Sequence, residues 1–164
     1  MLSIVIPSRN ERFLKPTVED LLKKSRGEIE ILVHLDGYWP NIEDISQDKR
    51  VIYIHSGVSI GMRAGINKAV AAARGEYIMK IDAHCMLSEG YDVAILNDLV
   101  GDNWVAVPTR KRLEPESWTI QDVGKPDISY MYVCYPNDPK DFGGAGLNGK
   151  VWEEKNRDKS LESK

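Results

Sequence analysis

The chain has 164 residues, 42% apolar and 29% charged, which is the balance of one soluble globular domain and excludes a chain disordered throughout. Its 22 basic and 25 acidic residues leave a net charge of -3, and nothing in that balance suggests an electrostatic grip on nucleic acid or on an anionic membrane. Two cysteines, Cys85 and Cys134, exclude a disulfide framework, and no stretch approaches the ~20 apolar residues of a membrane span, so the cytoplasm is the expected compartment.

The first predicted strand, residues 2–7, is an apolar run (Leu2, Ile4, Val5, Ile6) too continuous for a one-sided strand. It reads as a parallel strand buried on both faces. Pro7 ends it, and residues 8–11 form a polar loop. Leu14, Val18, Leu21 and Leu22 then fall on one helical stripe, with Pro16 near its start, Lys23 and Lys24 in its last turn and Gly27 as its stop. A second buried strand, residues 29–35, ends in the turn pair Asp36-Gly37, and residues 51–55 are a third. Residues 59–74 read as a helix with an alanine-rich half closed by Gly75, and residues 77–81 as a fourth strand ending at Asp82. A helix over 91–100 leads to a fifth strand at 104–108.

This alternation predicts an α/β domain with a mainly parallel sheet flanked by helices. The ligand crevice is expected beyond the carboxyl ends of the strands, in the loops 8–12, 36–40, 56–63 and 82–86. After Arg112 a segment with Trp118 and Ile120 and another over 128–135 read as two further strands of a small irregular or antiparallel C-terminal part. From Pro136 the chain is Pro/Gly-rich and then strongly charged, so 136–164 is expected to be a flexible tail.

The strongest local signal is Asp82-Ala83-His84-Cys85 at the end of the fourth strand. Residues two apart on an extended chain point to one side, so the Asp82 carboxylate and the His84 imidazole can converge on one ion. A mixed oxygen and nitrogen pair suits manganese, iron or zinc better than calcium. On its own the triplet reads first as a strand-end aspartate capping the next turn beside a half-exposed histidine. Asp36 can accept hydrogen bonds from a ribose hydroxyl or a base imide, and equally reads as a turn residue before Gly37. Arg63 can meet a base or phosphate, although a lone arginine is more often solvated. The loop 7–12 has no glycine, so it is not the GxGxxG dinucleotide fingerprint. Residues 144–150 match GxxxxGK, but Val151 stands where the magnesium-binding hydroxyl belongs, and no GxSxG elbow exists.

Taken together, three blocks resemble family 2 glycosyltransferases. Ser3-Ile4-Val5-Ile6-Pro7-Ser8-Arg9-Asn10-Glu11 resembles that family's "VIPxYNE" opening. Glu30-Ile31-Leu32-Val33-His34-Leu35-Asp36-Gly37 resembles its second strand, and Arg74-Gly75-Glu76-Tyr77-Ile78-Met79-Lys80-Ile81-Asp82 its "A-x-GEYIxxLD" block. The resemblance covers roughly residues 2 to 110 and implies the GT-A fold, a Rossmann-like sheet that binds a nucleotide-sugar. Asp82-Ala83-His84-Cys85 is also similar to the "DSHC" of polypeptide N-acetylgalactosaminyltransferases, and Gly61-Met62-Arg63 to their "GLMRSR" helix start.

The resemblance implies a transferase that moves a sugar from a UDP-linked donor to the hydroxyl of a glycan or other acceptor. Asp82 and His84 would hold Mn2+ (or Mg2+) on the diphosphate, Asp36 and Arg63 would contact uridine, and Pro7, Ser8, Arg9 and Glu11 would line the base and ribose pocket with Ala83 beside the donor. It gives no catalytic base. Residues 1–135 are expected to be the nucleotide-sugar-binding domain and 136–164 an incomplete acceptor region. Leu35 stands where the family's "VDDGS" carries its first acid. The alternative class is a donor-binding module without turnover. A nucleotidyltransferase would need a glycine-rich loop after the first strand, which 7–12 lacks.

Overall fold

A computed structural model describes residues 1–99, 101, 105–121, 124, 131–133 and 149–154. The chain divides into two units, the first made of residues 1–100 with 115–118 and the second of the remainder.

In the first unit, β1 (Leu2–Ser8), β2 (Ile29–Asp36), β3 (Val51–Ser56) and β4 (Tyr77–Lys80) form one parallel sheet in the order β3-β2-β1-β4. Ile4 lies opposite Ile31 on one side and Met79 on the other. All eight residues of β2 are buried, Glu30, His34 and Asp36 among them, as a strand covered on both faces requires. Side chains then divide by the pleat. Leu2, Ile4, Ile6, Ile31, Val33 and Leu35 pack with Leu14, Val18 and Leu21 of α1 (Leu14–Lys24) and with Tyr91, which opens α3 (Tyr91–Asp98). Val5 and Leu32, on the other face, pack against Ala69 of α2 (Met62–Ala72). The small side chain at Ala69 lets α2 lie close to the sheet.

The chain runs outward from β1 through β2 to β3 and then returns to the far side of β1 as β4. The order reverses between β1 and β4, which is where open α/β sheets leave a crevice for ligand. The predicted helix over 59–74 is shorter, because Gly61 at φ 83 holds the chain outside helical geometry and α2 begins at Met62. The predicted strand at 104–108 is corrected: residues 105–108 join no strand, and Val105 and Val107 are exposed. An apolar run makes a strand only where a partner edge is in reach.

The second unit holds two antiparallel pairs, β5 (Leu113–Glu114) with β6 (Thr119–Ile120) and β7 (Met131–Val133) with β8 (Gly149–Val151). The strands foreseen near Ile120 and within 128–135 are present, and Gly149 and Lys150 of the GxxxxGK stretch belong to β8. Residues 136–148 and 155–164 lie outside the described residues. Among the described residues no helix is long and apolar enough to cross a membrane.

Candidate functional site

The carboxyl ends of β1 and β2 and the start of α2 enclose a cavity of about 330 Å³ lined by Pro7, Ser8, Arg9, His34, Asp36, Gly61 and Met62. Its walls come together because Gly37, at φ 77, turns the chain tightly after β2. A side chain there would meet the Ser59 backbone nitrogen at 3.0 Å. Asp36 fastens the loop before α2: its carboxylate accepts from the Ile60 N–H at 2.7 Å, the Ser59 hydroxyl at 2.7 Å and the Gly61 N–H at 3.1 Å. Those donors, the Ile60 amide foremost, hold its carboxyl below the ordinary aspartate range, so it is ionised.

His34 forms the floor. It is fully buried in β2, with Nε2 2.9 Å from the Ser56 hydroxyl, which also accepts from the Lys68 ammonium at 3.1 Å. Burial lowers the pKa of the imidazole and keeps the ring neutral. Its Nδ1 is the one buried side-chain polar atom among the described residues without a hydrogen-bond partner.

At the end of β4, the Ile81 N–H still donates to Val5 at 3.1 Å. Ile81 and Ala83 are buried while Asp82 and His84 are exposed, the period of an extended chain. The Asp82 carboxylate pairs with the Lys80 ammonium. His84 Nδ1 lies 3.1 Å from one oxygen of Glu11, whose other oxygen accepts from the Phe13 N–H at 3.2 Å. Among the described residues no three His, Cys, Asp or Glu side chains gather as a metal cluster, so Asp82 and His84 offer two donors. Cys85 lies below them with its N–H on the Thr17 hydroxyl at 3.1 Å; burial pushes its thiol pKa up, which disfavours a thiolate nucleophile.

Of the residues singled out in the sequence, Pro7, Ser8, Arg9 and Asp36 meet around one cavity, and Glu11 meets His84. Arg63 is exposed on the first turn of α2 and does not line the cavity. Ala83 turns into the core. His34, Lys80 and Tyr38, whose hydroxyl lies 3.0 Å from that of Ser8, were not foreseen. A histidine inside an apolar strand was the available signal for the first. Lys80 and Asp82, two apart on one side of a strand, were the signal for the second.

Residues 3–146 match the model of a family described as Glycosyl transferase family 2, well past the residue-110 limit of the motif blocks. An uncharacterised glycosyltransferase of Methanocaldococcus jannaschii is 33% identical over 93 residues, 51% of this chain and 31% of its own length. Glycosyltransferase GlyG of Streptococcus pneumoniae is 32% identical over 95 residues, 54% of this chain and 32% of its own length. The aligned part is thus about a third of the length of these relatives. Among solved structures, a mannosyltransferase of Pyrobaculum calidifontis in complex with GDP-Man and Mn2+ superposes with a TM-score of 0.55. It is 17% identical, over 68% of this chain and 35% of that one, and the likeness shows a GT-A-like fold.

Proposed function

The chain belongs to glycosyl transferase family 2, and on that premise we propose that it binds a UDP-linked sugar in residues 1–135 and transfers the sugar to the hydroxyl of a glycan or other acceptor with the help of Mn2+ or Mg2+. The observation that carries this reading is the shared cavity. Pro7, Ser8 and Arg9 at the carboxyl end of β1 and Asp36 at that of β2 line one space of ligand size, beside the β1/β4 switch point where Asp82 and His84 follow β4.

The donor chemistry fits a divalent cation at a diphosphate. One carboxylate and one imidazole leave the other coordination positions to phosphate oxygens and water, as Mn2+ and Mg2+ at nucleotides prefer. The similarity of the Asp82-x-His84 triplet to that of the polypeptide N-acetylgalactosaminyltransferases supports the same assignment. Glu11 engages His84 Nδ1, which leaves Nε2 for a metal and puts Glu11 where a carboxylate orients a metal-bound imidazole. Bound there, the cation would neutralise charge developing on the departing diphosphate.

The chain's own residues would do the rest. Lys80 compensates the Asp82 carboxylate before ligand arrives and offers a second positive charge to the diphosphate. The Arg9 guanidinium has five donors for ribose or phosphate oxygens, and Asp36 retains acceptor capacity for a base imide. Arg63 would approach the nucleotide from the first turn of α2, and the Ala83 backbone would lie beside the donor.

Calorimetric titration tests this with UDP in the presence of Mn2+, then with EDTA, in wild type and Asp82→Ala. GDP is the control, since a neighbour of the same fold was solved with GDP-Man. Manganese-dependent UDP binding that disappears in the variant supports the reading. Tighter binding of GDP would sink the uridine assignment, and failure of every nucleotide to bind the folded protein would sink the donor site. UDP binding without hydrolysis or transfer of any UDP-sugar would favour the module without turnover.

A further inference from the structure

A second and larger groove is lined by Tyr38 and Trp39. It holds about 660 Å³ and lies between the β1–α1 loop and the segment that follows β2. Two aromatic side chains give it its character. Trp39 is 62% exposed, and its indole stands edge-on to His55, the ring centroids 5.2 Å apart at 90°. Tyr38 is anchored by its hydroxyl on Ser8. An indole exposed to this degree at the wall of a groove forfeits burial that would otherwise stabilise the fold, and such apolar surface suits a ligand.

The polar lining narrows the ligand. Glu11 and Asp44 bring two carboxylates, and Asn10 and Asn41 two amides. Asn10 is held at φ 53, in the left-handed region that asparagine tolerates better than most residues. Of the two cations of the lining, one is paired with a carboxylate and the other rests on a backbone carbonyl. Arg12 pairs with Glu116 and covers the Phe13 ring at 4.4 Å, while Lys15 donates to the Glu43 carbonyl at 2.6 Å. An anion would therefore face two carboxylates against the single charge of Lys15, a balance that favours a neutral ligand. A neutral molecule rich in hydroxyl donors matches instead: its O–H groups find carboxylate and amide oxygens, and its C–H faces find flat aromatic surface.

We propose that this groove binds a neutral pyranose of a glycan, stacked on Trp39 and hydrogen-bonded by Asp44, Asn41 and the free lone pairs of Glu11. The assignment is independent of the nucleotide cavity, which has a different lining. Glu11 borders the groove and also touches His84, so a saccharide held here lies beside the proposed diphosphate corner.

The test reads the Trp39 indole N–H in a ¹H–¹⁵N spectrum, assigned with Trp39→Phe. Methyl glycosides of glucose, galactose, mannose and N-acetylglucosamine are added up to about 10 mM, the range where a weak single site saturates. Saturable movement of the Trp39 signal by at least one glycoside is expected. Trp39→Ala should weaken that glycoside's binding roughly tenfold, the loss of one ring contact, and leave UDP affinity unchanged. The proposal is overturned if no glycoside moves the signal, if Trp39→Ala binds sugar as well as wild type, if glucuronate binds more tightly than glucose, or if uridine moves the signal in place of the sugars. UDP binding that persists while sugar binding is absent defeats the groove alone.

Discussion

Replacing Gly65 with alanine sets two known effects against each other at the seam between α2 and β2. A methyl group built on Gly65 would lie 2.3 Å from His34 Nδ1, 2.8 Å from Cε1 and 3.0 Å from Cγ. All three fall inside the ~3.5–4.0 Å of favourable carbon contact. His34 has little freedom to move aside, being fully buried in the second strand with Nε2 tied to Ser56 at 2.9 Å. Alanine in place of a mid-helix glycine stabilises by about 0.5–1 kcal/mol where space permits. Forcing an extra carbon into a packed core costs about 1–3 kcal/mol. The clash wins, and a net loss of about 1–2 kcal/mol is expected. Urea unfolding should show a lower midpoint at unchanged slope. In a His34→Ala background the space is open, so the same substitution should become stabilising and the double-mutant cycle should report strong coupling. If Gly65→Ala stabilises the wild-type protein by the full helix-propensity gain, α2 does not sit on His34 as described, and this account of the cavity floor fails.

Glu30 supplies a pH-dependent contrast. Burial acts to raise its pKa, but bonds from the Ser3 hydroxyl at 2.6 Å, the Arg74 N–H at 2.6 Å and the Arg74 guanidinium outweigh it and hold the carboxyl below its ordinary range. A depressed carboxyl contributes stability that is present above its unfolded pKa and lost as pH falls through the folded value. Denaturation midpoints should therefore fall with acidification from about pH 4.3 downward, with a shallower fall in Glu30→Gln. At neutral pH that variant should lose about 1–3 kcal/mol through its hydrogen bonds, since the largely solvated guanidinium adds little as an ion pair. For Glu11, ¹⁵N spectra of the neutral His84 ring should show the proton on Nδ1, and Glu11→Ala should shift the population toward Nε2–H. An unchanged tautomer would show that Glu11 does not set it.

The parallel sheet was legible because its central strands are buried on two faces. Leu2 to Ile6 and Ile29 to Leu35 are then mostly apolar, broken only by Ser3, Glu30 and His34, and such runs can be read without knowing the partner. The helical stripe of Leu14, Val18 and Leu21 was legible for the same reason in its own period. Val105, Ala106, Val107 and Pro108 are an apolar run that joins no strand, because a strand depends on an edge supplied by distant chain. Contacts across long separations were equally beyond reach. Glu11 and His84 are 73 residues apart and meet only through the adjacency of β1 and β4.

Asp36 shows how far a residue's two readings can be separated by physics. In the sequence it was both a turn residue and a nucleoside contact, and nothing local distinguished them. In the fold it first serves the chain, since one hydroxyl and two backbone amides of the loop before α2 donate to it. A carboxylate offers about four acceptor positions, so about one is left for a ligand. On the proposed reading the two roles would be sequential. A charge already stabilised by three fixed donors is preorganised, and a base imide meeting its remaining lone pair would bind without first drawing a flexible carboxylate into place. Asp36→Asn would put an amide N–H₂ among donors, so it should loosen the loop and nucleotide binding together. Loss of nucleotide binding with loop amide exchange at residues 59–61 unchanged would mean the contact, and not the scaffold, is what that carboxylate supplies.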